Sequence, residues 1–303
     1  MTDFTGELAA LGTALAFALG SSLYTFAGRK LGSPLVNRAR MFIAALMMII
    51  IHAVAYGELL PSQASQEAVI WLSLSGIVGF ALGDLFLFQA FILIGPRLSM
   101  LMMALAPVLS VILAWVLLGE ILSAQSLLGI ALTLAGIFWV ISERQTKKTK
   151  DVSDMPPRTY LLGLLFGFGG AIGQAGGLIL SKFGLNTGIE PMSGNVIRLI
   201  AATIVVWLIA AARKDLFSSL SRLRNHPKSV GYITIASLFG PVIGVSLSLL
   251  AIQLAPVGVA STLMSLTPIF LIPISYVVFK ETTSWRAILG TLVAFAGTAL
   301  LFV

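Results

Sequence analysis

Runs of about twenty apolar residues, separated by short polar stretches, cover almost the whole of this 303-residue chain. They fall at about 8–27, 34–56, 68–93, 97–118, 122–142, 159–182, 191–212, 229–254, 257–279 and 284–303. A helix rises about 1.5 Å per residue, so each run is long enough to cross the hydrocarbon core of a bilayer. The pattern predicts an all-α integral membrane protein of ten transmembrane helices. Most connections are a few residues long. The stretches ERQTKKTKDVSDMPPR (143–158) and RKDLFSSLSRLRNHPK (213–228) are longer, charged and Pro-containing. The first divides the chain into a five-helix unit at 1–143, a charged linker at 144–158 and a second five-helix unit at 159–303.

The two units spell related sequences. LAPVLSVILAWVLLGE at 105–120 returns as LTPIFLIPISYVVFKE at 266–281, an offset of 161 residues that places Pro107 on Pro268. The same offset carries Ser123 onto Ser284, Gly129 onto Gly290, Gly136 onto Gly297, Gly79 onto Gly240 and Gly83 onto Gly244. Upstream the offset slips by a few residues, and Asn37 and Arg40 meet Asn195 and Arg198. A unit of five spans leaves the membrane on the side opposite to its entry, so the second copy is expected upside down relative to the first. Two inverted repeats about an axis in the membrane plane allow a site between them to open to either side in turn.

Composition narrows the classes. The chain is 58% hydrophobic and 10% charged, with a mean hydropathy of +1.00, which no soluble core could absorb. It has no Cys, and its two His, His52 and His226, are far apart with no acid cluster beside them, so neither a metal site nor a cofactor is expected. His52 reads as an interfacial side chain. The leading MTDFTGE carries acids and no Lys or Arg, unlike the basic start of a cleaved signal, so the first run reads as a retained helix. All of the 19 Lys and Arg except Lys182 and Arg198 lie in or beside the odd-numbered connections. The positive-inside rule then puts that face in the cytoplasm and both termini outside. The net charge of +7 belongs to this face, next to anionic lipid, and no interleaved aromatics point to nucleic acid.

Within the spans polar residues are few. Asp84, in ALGDLFLFQAF, is the one acid that lies deep, about 11 residues and roughly 16 Å of helix from Gly95. An ionised carboxylate at that depth faces a wet cavity, pairs with a cation or holds a proton. Arg40 enters from the same side to within reach of it. Three readings stand: an acid that handles a proton or a substrate, a structural ion pair with Arg40, and a polar helix contact. Helical spacing places Phe80, Asp84, Phe88 and Phe91 on one stripe, suited to a cationic or aromatic ligand or simply to lipid and core. In the sixth span Gly163, Gly167, Gly170, Gln174, Gly177 and Ser181 share a face. The glycines fit close helix packing, and the Gln174 amide fits a ligand contact. Pro107 and Pro268, inside apolar runs, read as hinges, with Ser265 and nearby freed carbonyls as ligand contacts. Gly95-Pro96 and Pro256 read as helix starts. Glu120 and Glu281 read as solvated or helix-capping residues.

The pattern P-V-L-S-V-I-L-A-W-V-L-L-G-E, followed by a polar turn and Q-S-L-L-G-I-A-L-T-L-A-G, present in both halves, resembles the EamA-type carriers of the drug/metabolite transporter superfamily. The resemblance covers essentially the whole chain. It implies a secondary carrier of a small metabolite, amino acid or drug-like solute, working without ATP through a cavity between the halves. It further implies a bacterial cytoplasmic (inner) membrane, a monomer or homodimer, and coupling to protons as one option. No phosphate-cradling Gly-Lys-Ser/Thr loop is present, in agreement. A membrane scaffold or receptor is the alternative, although it leaves the inverted repeat without a purpose. An intramembrane enzyme lacks a second catalytic group beside Asp84.

Family members usually keep both termini in the cytoplasm, opposite to the charge distribution here, and we follow the charge. Reporter fusions are expected to place the 143–158 and 213–228 loops in the cytoplasm and both termini outside. A C-terminal reporter active only in the cytoplasm would reverse this orientation.

Overall fold

The structure, a computed structural model, describes residues 4–103, 105–144, 157–267, 269–270, 273–274 and 285–300. Most of the linker, together with Pro268 and Glu281, lies outside the described residues, as does the side chain of Phe91. Among the described residues there are helices and turns but no strand. The first half holds α1 (Thr5–Leu31), α2 (Ser33–Tyr56), α3 (Gln66–Gly76), a π-helical segment (Ile77–Gly83), α4 (Asp84–Met103), α5 (Ala106–Leu118) and α6 (Ala124–Arg144). The second half holds α7 (Pro157–Leu185), α8 (Pro191–Ala212), a short polar α9 (Leu216–Arg224), α10 (Pro227–Ser237) and a second π segment (Leu238–Gly244). It continues with α11 (Val245–Leu254), α12 (Val257–Met264) and α13 (Trp285–Leu300).

Among the described residues six stretches are long and apolar enough to cross a membrane, and Ala106–Leu118, Ala124–Trp139 and Ile288–Leu300 are shorter apolar helices. The chain is therefore a multi-pass membrane protein, but the ten predicted spans do not appear as ten unbroken rods. The helix of α4 continues through Gly95-Pro96, where a start was expected, and the chain turns only at Leu105. In the second half the break expected at Pro256 is present, and a further turn falls at Ser265 and Leu266. Pro107 thus sits in the first turn of α5 rather than kinking a helix from within. There its missing N–H has no intrahelical acceptor to lose. Pro34, Pro191 and Pro227 open helices in the same way. At the other ends Gly57 and Gly119 take the left-handed conformation (φ 75° and 68°) that closes α2 and α5.

The repeat is visible in the backbone. The two π segments are offset by 161 residues, as are the turns at Leu105 and Leu266. The halves also exchange their first helices. α1 packs on α10, the second π segment, α11 and α12, while α7 packs on α3, the first π segment, α4 and α5. α2 packs on its own counterpart α8, and α6 on its counterpart α13. Such reciprocity is what a two-fold relation between repeats produces.

Glycine makes these crossings close. A Cβ at Gly136 would stand 2.5 Å from the Gly290 oxygen, and one at Gly297 would stand 2.7 Å from the Gly129 oxygen, so α6 and α13 touch through the same four glycines in mirrored roles. On α7, Gly173 meets the Gly83 Cα and Gly177 meets the Gly79 Cα, with virtual Cβ distances of 2.6 and 2.9 Å. The glycine strip of the sixth span is therefore a packing surface for the first π segment and its flanking helices. On α1, Gly20 takes the corresponding place against Gly240. The His52 ring, expected at the interface, is buried instead. Its Nδ1 lies 2.6 Å from the Glu58 carbonyl oxygen and its Nε2 3.0 Å from Ser193 Oγ. It sits one turn before the Gly57 turn, where loop carbonyls need a donor, and so ties the end of α2 to α8.

Gly136→Leu and Gly297→Leu are each expected to destabilise the folded protein by at least roughly 1–3 kcal/mol, the usual cost of overpacking. Gly28→Ala, at a glycine with open space around it, is expected to be neutral or slightly stabilising. Thermal unfolding in detergent checks both, and equal melting of all three variants would contradict the backbone contacts.

Candidate functional site

Asp84 is the first residue after the first π segment, and Arg40 lies two turns into α2. The Arg40 guanidinium donates from Nη2 to Asp84 Oδ2 and from Nε to Asn37 Oδ1 at 2.7 Å. Its Cζ lies 5.6 Å from the centre of the Tyr24 ring on α1. The Tyr24 hydroxyl is 3.2 Å from Ser237 Oγ, at the end of α10, and Ser237 in turn approaches the Arg40 carbonyl. One ion pair thus links α1, α2, α4 and α10, which belong to both halves. The two side chains are 19% and 15% exposed, so the pair is mostly withdrawn from solvent but not sealed.

A cleft of about 80 Å³ opens beside the pair, lined by Asn37, Arg38, Phe88, Gln89 and Arg213 among others. That is room for a few waters, well below the several hundred Å³ of a typical metabolite site. Arg38 is held at its edge by Ser219 at 3.0 Å and Asp215 at 3.4 Å. Phe88 lines this cleft together with Asn37, whose amide oxygen accepts from Arg40, and lies four residues after Asp84 on α4.

Along the expected stripe Phe80 and Asp84 meet different partners. Asp84 meets Arg40 of α2, whereas the Phe80 ring lies 4.5 Å beneath the guanidinium of Arg198 on α8. Arg198 is not among the site residues expected from the sequence, where it figures as the repeat partner of Arg40 and as a charge on the sparse face. Its signal was present: Asn37-x-x-Arg40 recurs as Asn195-x-x-Arg198.

Gln174 is half-buried on α7 among the packing glycines. Ser265 lies at the break after α12, and its hydroxyl donates to the Ser261 carbonyl at 2.8 Å, which leaves it less free for a ligand than expected. Glu120 caps a helix, but one of the other half: its Oε2 accepts the Val257 N–H at 2.8 Å, at the start of α12. Lys182 donates to the Ile252 and Gln253 carbonyls at the end of α11. A cation at a helix C-terminus and an anion at an N-terminus suit the helix dipoles, and together they clasp the α11–α12 break. Among the described residues no group of three His, Cys, Asp or Glu is arranged to hold a metal ion.

The sequence profile of the EamA-like transporter family matches residues 4–142 and, a second time, 161–303. A solved crystal structure, described only as that of a protein, is similar over 96% of this chain and 94% of its own, with a TM-score of 0.70 at 20% identity. At that identity the likeness shows the fold alone. No curated protein matches the sequence at a significant level.

Removing one partner of a mostly buried pair strands the other. Asp84→Asn is expected to cost roughly 3 kcal/mol if the acid only neutralises Arg40, with Asp84→Asn/Arg40→Gln restoring both melting temperature and function. If Asp84 handles protons or solute, the double variant regains its stability and stays inactive. Melting and activity measured on both variants separate the two outcomes.

Proposed function

We propose that this chain, which belongs to the EamA-like transporter family, is a secondary carrier that moves a small metabolite, amino acid or drug-like solute across a bacterial cytoplasmic membrane by alternating access. The observation that carries the reading is the reciprocal exchange of α1 and α7 between two halves with matching π segments and matching helix breaks. A scaffold has no use for two copies of a deformable element at equivalent places. In an alternating carrier they let one half take up the conformation of the other. Five spans per half would place the repeats in opposite orientations, with the solute path at their interface near Asp84.

Asp84 and Arg40 then serve as the polar latch of that interface, with Asp84 the group that exchanges a proton or meets the solute. The small size of the cleft fits a closed state between the two open ones. Phe88 lines this cleft, and Gln174 contributes an amide from α7. Pro107, in the first turn of α5 after the break at Leu105, acts as a hinge there, and its repeat counterpart Pro268 is assigned the same role from the sequence.

Reconstituted in proteoliposomes, the protein is expected to give saturable flux of at least one solute from a metabolite panel, several-fold above empty vesicles, and to respond to an imposed pH gradient if protons are coupled. Stabilisation by a solute with no flux of any would favour a receptor instead.

A further inference from the structure

We propose that Arg198, resting on Phe80, is the point at which this carrier recognises a carboxylate on its solute; the assignment rests on the carrier reading and deepens it. Arg40 and Arg198 occupy equivalent places in the two repeats. Arg40 has a counter-ion and a second acceptor, in the Asp84 carboxylate and Asn37 Oδ1. Arg198 is 3% exposed, enters no ion pair among the described residues, and rests on the Phe80 ring at 4.5 Å. Its Nε has no hydrogen-bond partner. Val245 stands at the sequence position equivalent to Asp84, so the second half supplies no acid of its own there.

The neighbouring Asn195 amide does not supply the acceptor that Arg198 Nε lacks. Asn195 Nδ2 donates to the Pro241 carbonyl at 2.8 Å and to Ser246 Oγ at 3.0 Å, which fixes the amide orientation because a backbone carbonyl only accepts. Oδ1 is left buried and unpartnered. In the first half the same two atoms, the Arg Nε and the Asn Oδ1, bond to each other. A buried guanidinium without a counter-ion is strongly disfavoured, and one aromatic face offsets only part of that cost. Its planar fork matches the two oxygens of a carboxylate. The position also fits a carrier: Arg198 of the second half lies over Phe80 of the first, where α8 crosses the first π segment, and about seven residues, roughly 10 Å, inside the start of α8.

The test uses the full-length protein in detergent, with thermal unfolding read against acetate, lactate, benzoate and phenylacetate, each beside its neutral amide and beside sodium chloride at equal ionic strength. At least one acid is expected to raise the melting temperature by several degrees where its amide and chloride do not. Arg198→Gln is expected to weaken that acid by roughly 30-fold or more, while melting at or above the wild-type temperature without ligand, since a lone buried charge is gone. A purely structural arginine would give the opposite stability change. Arg198→Lys keeps the charge and is expected to bind the acid about ten-fold more weakly, because the fork is lost. No acid-specific shift, an equal shift with chloride, or an unchanged acid response in either variant would overturn the assignment. Flux of neutral solutes without any acid response would overturn it and leave the carrier reading standing; acid-specific stabilisation without flux of any solute would do the reverse.

Discussion

Helices in a bilayer gain nothing by hiding leucine from lipid, which is equally apolar, so this chain is held together where backbones approach closely enough for many weak contacts to add up. Glycine sets those places. Gly136 and Gly297 bring α6 against α13, and Gly173 and Gly177 bring α7 against the first π segment. Everything else depends on these crossings, because they fix which helices surround Asp84 and Arg198. The same closeness explains the π turns. With Gly79 and Gly83 pressed on α7, the chain between them takes a wider turn.

Much of this was legible from the sequence. The offset of 161 residues that pairs Gly79 with Gly240 and Gly83 with Gly244 also pairs the two π segments, and the glycines at 129, 136, 290 and 297 are the residues at the α6–α13 crossing. Asp84 and Arg40 could be matched by depth alone, since both lie a countable number of residues from one face. What escaped was which neighbour each side chain meets. Counting in steps of three and four put Phe80 on a stripe with Asp84, but not that α8 crosses there and lays Arg198 over the ring. The helix breaks were also displaced. Pro96 read as a start because proline disfavours helix interiors, yet α4 continues past it. In a bilayer an unmade backbone bond has no water to turn to, so keeping the helix with one bond missing is favoured over opening it.

The polar residues do not share the symmetry of the scaffold. Arg40 finds its acid within its own half, while Arg198 has Val245 where that acid would be and borrows an aromatic face from the other half. Two copies that were alike in charge would be two equal sites, or none if both arginines were neutralised internally. With Val245 in the place of that acid, the second copy keeps a buried cation, Arg198, at the contact between the halves.

The placement of the breaks connects this asymmetry to movement. α12 is clasped at its start by Glu120 from the first half, and α11 at its end by Lys182, so the break between them is tied at one membrane face. The turns at Leu105 and at Ser265 and Leu266 carry no such cross-half clasp among the described residues and are closed by bonds to carbonyls three or four residues back. A helix pinned at one face and interrupted partway across can swing its free part while its anchored part stays. If the two halves alternate in doing so, the polar latch at Arg40 and Asp84, which joins α1, α2, α4 and α10, lies on the path of the motion and must loosen for it to happen.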